Sequence, residues 1–225
     1  MSVCADFPAG IAASTNHGVS VNLNIIGSLS IDTWVKLRQP IQNGRSYIYI
    51  RDTAGGSGYE VAITRNNIVA GKNTLTFIKG GVALVDSSVD IVNGTPVHIA
   101  ITWNSVTKDI IFYRNGVAVQ TINEANAILD SAGKISYICL PFANSSINGC
   151  IFHLNIYNRI LSLAEVNYNM NHPNNAIRNG RQLGVSQESW VGGVWKDLSP
   201  NAYDGTPTGV VLGSGNNLAG RNVSL

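Results

Sequence analysis

The chain has 225 residues and a formal net charge of +2, and charged residues make up only 12% of it. Its Lys and Arg residues are scattered and form no basic stripe for phosphates, so we expect no nucleic-acid partner. No apolar run approaches the roughly 18 residues of a membrane-spanning helix, so we expect no membrane insertion. The N-terminal stretch MSVCADFPAGIAAS lacks the positive and apolar regions of a classical signal peptide.

Short strand-like segments recur from residue 18 onward. Alternating apolar and β-branched residues indicate strands, and the stretches between them, such as GGSG and VNGTP, are typical of turns. Many short strands with this punctuation predict an all-β fold, an antiparallel two-sheet sandwich of the jelly-roll type. The first six segments are 18–25, 28–39, 46–53, 59–65, 73–80 and 82–92.

Residues 98–121 predict two successive hairpins. Asn115-Gly116 is typical of a two-residue turn, which places Arg114 opposite Val117 and Phe112 opposite Val119. Upstream, a loop of residues 105–108 or of residues 104–108 closes the first hairpin, and the two loops differ by one residue of register. We favour the shorter loop because it collects the large apolar residues on one core face: Ile99, Ile101, Trp103, Ile110, Phe112, Val117 and Val119. The opposite face carries His98, Thr102, Ile111, Tyr113 and Gln120.

Two further strand-like segments, 134–142 and 150–158, carry two of the three cysteines. Cys139 and Cys150 could form a disulfide across an antiparallel strand pair. Two buried free thiols are the simpler alternative, because free cysteine behaves as a small hydrophobe. Cys4 stays unpaired under either interpretation. In the second segment, His153 alternates away from the predicted core face, so we expect it to face solvent or to be hydrogen-bonded.

One short helix is predicted over residues 162–171. Ser162 can cap the amide of Glu165 while Glu165 reaches back to residue 162, which is the capping-box pattern. Pro173 should end the helix, because a proline disfavours the helical region for the residue before it. Residues 174–225 are rich in Gly and Asn, show little sustained alternation, and are interpreted as a C-terminal extension or assembly arm.

Three blocks in this order resemble the laminin-G-like branch of the concanavalin A-like lectin/glucanase superfamily. They are SLSIDTWVKL, TPVHIAITWNSVTKDIIFYRNGVAVQT and INGCIFHLNIYNRILSLAEVNYNM. The resemblance covers residues 18–172 and implies one concanavalin A/laminin-G-like jelly roll over residues 1–173. A segment like DLSPNAYDGT usually opens such a module, whereas here it occupies residues 197–206. It could begin a second, truncated module or serve as an exchanged strand or arm.

The resemblance includes glycosidases, which carry two carboxylates two positions apart on one strand. Retaining enzymes need these groups about 5 Å apart. None of the four glutamates here, Glu60, Glu124, Glu165 and Glu188, has an acidic residue two positions away. We therefore expect no enzymatic activity and no catalytic residues.

Relatives often bind calcium at the rim of the sandwich, so a calcium ion is a cofactor that the resemblance allows. Calcium takes about six to eight oxygen ligands, and loop aspartates supply them, although isolated loop aspartates also cap turns. The candidate ligands are Asp52, Asp86, Asp90 and Asp130.

Sugar binding uses aromatic faces for stacking and amide side chains for hydroxyl groups. Tyrosines in strands are also common half-buried sheet formers, which leaves the alternative of a structural role. The candidate ligand-binding residues are Tyr47, Tyr49, Tyr113, Gln120, Asn144 and Asn148.

Two functional classes follow from these observations. The first is a non-enzymatic, carbohydrate-directed adhesion module that binds a glycan or host-surface ligand, displayed on a phage-like particle. The alternative is a structural virion decoration or tail component that mainly contacts other protein subunits, a role consistent with a surface poor in charged residues. Both place the protein outside the cell or on a virion surface, without a classical signal peptide.

Overall fold

The computed structural model describes residues 3–7, 18–21, 23, 25, 27–38, 45–51, 58–65, 72–79, 83–125, 136–139, 147, 149–208 and 211–214. One α-helix, α1, spans Leu163–Asn171. The first ten strands are β1 (Val3–Phe7), β2 (Gly18–Val21), β3 (Leu29–Leu37), β4 (Arg45–Arg51), β5 (Tyr59–Arg65), β6 (Asn73–Lys79), β7 (Ala83–Asp90), β8 (Val97–Trp103), β9 (Asp109–Arg114) and β10 (Val117–Asn123). The others are β11 (Ser136–Ile138), β12 (Gly149–Tyr157), β13 (Arg181–Ser186), β14 (Trp190–Val191), β15 (Val194–Trp195), β16 (Thr206–Thr208) and β17 (Val211–Ser214).

Two large antiparallel sheets form the fold. Sheet A has the order β10-β9-β8-β3-β12-β1-β17, and β13 also pairs with β12. Sheet B has the order β16-β2-β11-β4-β5-β6-β7, and β14 and β15 form a separate hairpin. The predicted all-β sandwich with one short helix is therefore confirmed.

The main core lies between the two sheets. Alternation along each strand sends every second side chain inward, and sheet A contributes residues such as Ile31, Ile99 and Leu154. Tyr49 and Phe77 contribute to the same core from sheet B. Strands β3 and β12, at the centre of sheet A, are buried along nearly their whole length. Both faces of sheet A are therefore covered, one by sheet B and the other by α1 and the residues around it.

The first predicted hairpin is confirmed in register. Trp103 lies opposite Ile110 and Ile101 opposite Phe112, and the amide of Asn104 donates to the carbonyl of Asp109 over 2.9 Å. These pairings correspond to the four-residue loop. All four apolar residues in these two pairs are buried in the core between the sheets.

The second hairpin is only partly as predicted. Arg114 lies opposite Val117, and Asn115 and Gly116 both have positive φ, as a two-residue turn of this type requires. A bulge between residues 118 and 120 then shifts the register, so that Phe112 lies opposite Gln120 rather than Val119. Val119 is the extra residue and is 43% exposed, while Val117, which precedes the bulge beside the turn, is 62% exposed. Ile122 packs against the core instead.

The C-terminal segment belongs to both sheets. Strand β13 pairs with β12, β16 pairs with β2, and β17 pairs with β1. Strands β13, β16 and β17 therefore continue ladders begun by strands of residues 1–173. The DLSPNAYDGT segment folds against β13. The Asp197 carboxylate accepts hydrogen bonds from the amides of Gly184, Ser199 and Tyr203 over 2.8, 2.8 and 2.9 Å.

The predicted Cys139–Cys150 disulfide is wrong. Cys139 is a free thiol buried in the core between the sheets, where burial raises its pKa. Cys150 lies on the opposite face of sheet A, in a cluster with Trp34, Phe152 and Met170. It takes part in a disulfide, and the neighbouring strand β1 carries the chain's remaining cysteine, Cys4.

In the described part of the chain, no helix is long and apolar enough to cross a membrane.

Candidate functional site

The tyrosines proposed for sugar stacking do not form a surface. Tyr49 is fully buried between the sheets, and Tyr113 is 4% exposed in a cluster with Leu161 and Val166, beside and within α1. Their assignment as stacking residues is wrong, because a buried ring offers no face to a ligand. Tyr47 lies in β4 with its side chain outside the described residues, as do Asn144 and Asn148 altogether.

Gln120 has a structural partner. Its Oε1 accepts a hydrogen bond from the backbone amide of Ser88 over 2.6 Å. Strands β7 and β10 are edge strands of the two sheets, so this contact joins the two sheets along one side of the sandwich. The side chain of Gln120 thus pairs with a backbone N–H of edge strand β7. This structural role explains its position better than ligand binding does.

Of the four proposed calcium ligands, the structure describes the side chain of Asp90 alone. Asp90 lies at the end of β7, with its Oδ2 3.8 Å from Nζ of Lys72. Asp86 is also in β7, but its side chain, like Asp52 and Asp130, falls outside the described residues. Among the residues that are described, no group of three or more His, Cys, Asp or Glu side chains could hold a metal ion.

The outer face of sheet A carries a buried polar cluster. Nε2 of His98 donates to Oδ2 of Asp32 over 2.8 Å, and Nδ2 of Asn155 donates to Oδ1 of Asp32 over 3.1 Å. His153 is 2% exposed, and neither of its ring nitrogens has a hydrogen-bond partner within the described structure. The expectation of a solvent-facing or hydrogen-bonded His153 is therefore wrong. Burial lowers the pKa of His153 to about 4, although the nearby Asp32 opposes part of that change.

This polar face supports the end of α1. Trp34 in β3 lies opposite His98 in β8 on one side and opposite His153 in β12 on the other. Its Nε1 donates to the carbonyl of Met170 over 3.2 Å. Asn169 Nδ2 donates to the hydroxyl of Tyr157 over 3.0 Å. Its Oδ1 accepts a hydrogen bond from the amide of residue 177 over 2.8 Å. The last turn of the helix and the segment after it are thus held by buried side chains.

The beginning of α1 is fixed as its sequence predicts. Ser162 and Glu165 form the complete capping box. Arg159 donates to both carboxylate oxygens of Glu165, over 2.6 and 3.0 Å, and this contact lowers the pKa of Glu165 to about 2. Glu165 is therefore engaged in capping and an ion pair. The helix ends at Asn171, and His172 caps its C-terminus ahead of Pro173.

An exposed aromatic and amide surface lies at this helix end. Tyr168 and His172 stack with ring centroids 4.3 Å apart and an interplanar angle of 19°. Tyr168 is 36% exposed, and its neighbours in this surface are also exposed. We call this the helix-end surface. It comprises Tyr168, Asn171, His172, Asn174, Asn175 and Glu188.

Each asparagine of the helix-end surface uses its amide nitrogen within the protein. Asn171 Nδ2 donates to the carbonyl of residue 167 over 2.8 Å, and Asn174 Nδ2 donates to Oε1 of Glu188 over 3.0 Å. Asn175 Nδ2 donates to the hydroxyl of Tyr168 over 3.4 Å. In the described structure the three Oδ1 atoms and Oε2 of Glu188 accept no hydrogen bond, so they are available to a ligand.

The orientation of His172 follows from its partner. Nδ1 lies 2.9 Å from the carbonyl oxygen of Tyr168, and a carbonyl can only accept, so Nδ1 carries the proton. An imidazole protonated at Nδ1 alone presents Nε2 as an acceptor. The helix-end surface therefore combines a stacked aromatic pair with several outward hydrogen-bond acceptors.

From the sequence, residues 162–171 predict a helix and no ligand site. One signal was available, because Tyr168 and His172 are four residues apart and residues at this spacing share a helix face. The contact between Asn174 and Glu188 joins residues that are 14 positions apart, and no local sequence pattern indicates it.

The chain belongs to the concanavalin A-like lectin/glucanases superfamily, whose family sequence profile matches residues 10–167. The resemblance noted from three sequence blocks is thereby confirmed. A search of curated proteins found no match.

Several solved structures share the fold. A Bacteroides ovatus protein to which carbohydrate binding has been ascribed superposes with a TM-score of 0.72 at 16% identity, over 95% of this chain and 60% of that one. The heptameric SAP-like pentraxin of Limulus polyphemus gives a TM-score of 0.62 at 14% identity, over 94% of both chains. Domain 4 of the Geobacillus stearothermophilus arabinanase AbnA, solved with arabinotriose, gives 0.53 at 14% identity, over 74% of this chain and 85% of that domain. The chain thus spans less than two thirds of the Bacteroides protein.

Proposed function

We propose that this protein is a non-enzymatic carbohydrate-binding module that acts outside the cell. The observation that carries the proposal is the exposed, stacked Tyr168–His172 pair beside three asparagines and Glu188. Two of the solved structures that share the fold are a protein with ascribed carbohydrate binding and a domain solved with arabinotriose, which supports this class of ligand.

The chemistry of the helix-end surface fits a sugar. Aromatic rings pack on the apolar face of a pyranose, and outward acceptors match the hydroxyl hydrogens at its edge. The buried contacts of Trp34 and Asn169 hold the helix end in place, so little ordering is needed when a ligand binds.

The absence of catalysis is part of the proposal. Glycoside hydrolysis uses two carboxyl groups on either side of the scissile bond. Glu188 is the acid that contacts the helix-end surface, while Glu165 is held by Arg159 at the other end of the helix. A site of this kind can hold a sugar without cleaving it.

The test is a glycan array followed by calorimetric titration with the best ligand. Tyr168→Ala should reduce affinity by about five- to a hundredfold, because it removes the stacking ring, and stacking of a nucleic-acid base on an aromatic side chain contributes a comparable 1–3 kcal/mol, roughly. Tyr168→Phe should retain most of the affinity. Leu163→Ala is the matched control, since Leu163 is 51% exposed on the same helix but outside the surface.

Two results would contradict the proposal. One is a native protein that binds no glycan on the array. The other is glycan binding that Tyr168→Ala leaves unchanged, which would place the ligand elsewhere on the domain.

A structural role in an assembly is the second candidate function. Edge strand β10 exposes Val117 and Val119, and exposed apolar residues on an edge strand suit contact with another subunit. Sedimentation of native source material on a density gradient tests this role. Banding with large particles would support a virion or other assembly component, and recovery only as free protein would oppose it.

A further inference from the structure

We infer that the helix-end surface selects glycans by charge, favouring cationic amino sugars, then neutral sugars, and rejecting anionic sugars. This inference rests on the proposed function and adds the class of ligand. It follows from the electrostatics of the surface.

The first observation is the carboxylate of Glu188. Oε1 accepts from Asn174, while Oε2 accepts no hydrogen bond in the described structure, and the residue is exposed. A negative charge with one unused oxygen attracts an ammonium or hydroxyl donor and repels a sugar carboxylate or sulfate.

The second observation is the position of the surface at the C-terminus of α1. The end of a helix carries partial negative charge from its unpaired carbonyl groups. No basic residue lies in the last turn of α1, and the sequence has no Lys or Arg from residue 163 to residue 177. The helix end and Glu188 therefore act in the same direction, and the nearest arginine after the helix, Arg178, lies three residues beyond Asn175.

The third observation is the excess of acceptors. The side-chain carbonyl oxygens of Asn171, Asn174 and Asn175 are available, because each of these residues uses its amide nitrogen within the protein. An ammonium group presents only donors and would satisfy several of these acceptors at once. The face of the Tyr168–His172 pair can also attract a cation placed over it.

Two matched monosaccharide series test the inference. The methyl glycosides of glucosamine, glucose and glucuronate differ mainly in charge, and galactosamine, galactose and galacturonate form the second series. Each is titrated at low ionic strength while NMR follows the side-chain amide signals of Asn171, Asn174 and Asn175. We expect affinity to fall from the amino sugar to the neutral sugar to the uronate in at least one series.

Glu188→Gln removes the charge but keeps an oxygen for Asn174. It should reduce the preference for the amino sugar over the uronate by about two- to fivefold, the range for one exposed charge, and added salt should have a similar effect. Asp109→Asn is the matched control. It changes net charge equally but lies at the far end of β9 from the turn that contacts α1.

The outcomes separate the two proposals. If no sugar of either series perturbs the surface, the proposed function fails at this site. If sugars bind through Tyr168 but the uronate binds as well as or better than the amino sugar, only the charge selection fails. An unchanged preference in Glu188→Gln would also overturn it.

Discussion

The two faces of sheet A are built from the same strands but by different means. Its inner face is apolar and packs against sheet B through residues such as Ile99, Ile31 and Leu154. Its outer face places His98, Asp32 and His153 on the alternate positions of the same strands, buried beside the α1 layer. Burial alone therefore does not make a face apolar, because the covered outer face encloses the hydrogen-bonded pair His98–Asp32 and also His153, whose ring nitrogens have no partner in the described structure.

The largest expected loss of stability comes from a substitution on the inner face of sheet A. Phe112→Ala should lower the free energy of unfolding by about 3–5 kcal/mol, because it leaves a cavity at a fully buried ring. Urea denaturation at pH 7 measures the change. A loss below about 1 kcal/mol would show that the core between the sheets tolerates the cavity.

Acid should lower the free energy of unfolding through the outer face of sheet A, and not through its apolar inner face. The pKa of His153 falls from 6.5 to about 4 on folding. Between these two pH values the imidazole of His153 is protonated in the unfolded chain but stays neutral in the native protein. Stability should therefore decrease as pH falls from about 6.5 to 4, by roughly 3 kcal/mol, since one pKa unit corresponds to about 1.4 kcal/mol.

His153→Gln should flatten that pH dependence in urea denaturation curves. Phe112→Ala is the control for the opposite face, because it should lower stability by the same amount across the pH range. An undiminished slope in His153→Gln would assign the pH dependence to other groups.

A smaller effect is expected where the outer face meets the helix. Trp34→Phe removes the hydrogen bond to the carbonyl of Met170, which should cost about 1–2 kcal/mol of stability together with the lost ring volume. Because Met170 lies two residues before His172, glycan affinity should also decrease. Unchanged affinity would show that the helix-end surface does not depend on this anchor.

The smallest expected effect concerns calcium. Chelation with EDTA should leave binding at the helix-end surface unchanged, because Glu188 alone supplies a carboxylate there and calcium needs several oxygen ligands. Loss of glycan binding in EDTA, restored by calcium, would instead favour a calcium-dependent site that includes Asp52, Asp86, Asp90 or Asp130.

The inner face could be predicted from the sequence, and the reasons are local. Alternation identified Ile99, Ile101 and Trp103, and the Asn115-Gly116 turn defined where β9 and β10 meet. The bulge after Ala118 could not be predicted, because an extra residue in a strand leaves no compositional mark. It moved Val119 out of the core.

The outer face and the site depended on information that local patterns do not contain. Tyr113 alternates as a solvent-facing residue would, and only the position of α1 shows that it is covered. The same limit explains why the sequence predicted a solvent-facing or hydrogen-bonded His153. For the helix-end surface, the spacing of Tyr168 and His172 was visible in the sequence, whereas the approach of Glu188 depends on the tertiary fold.

The C-terminal strands also determine when the domain can finish folding on the ribosome. Val3 pairs with Ser214, and Gly18 pairs with Thr208, so β1 and β2 each lack one neighbour until the last strands have been synthesised. Ladders between such distant segments carry a large loop-closure cost and fold slowly. During that interval the nascent chain exposes two incomplete sheet edges, whose unpaired backbone groups can template strand pairing with another chain.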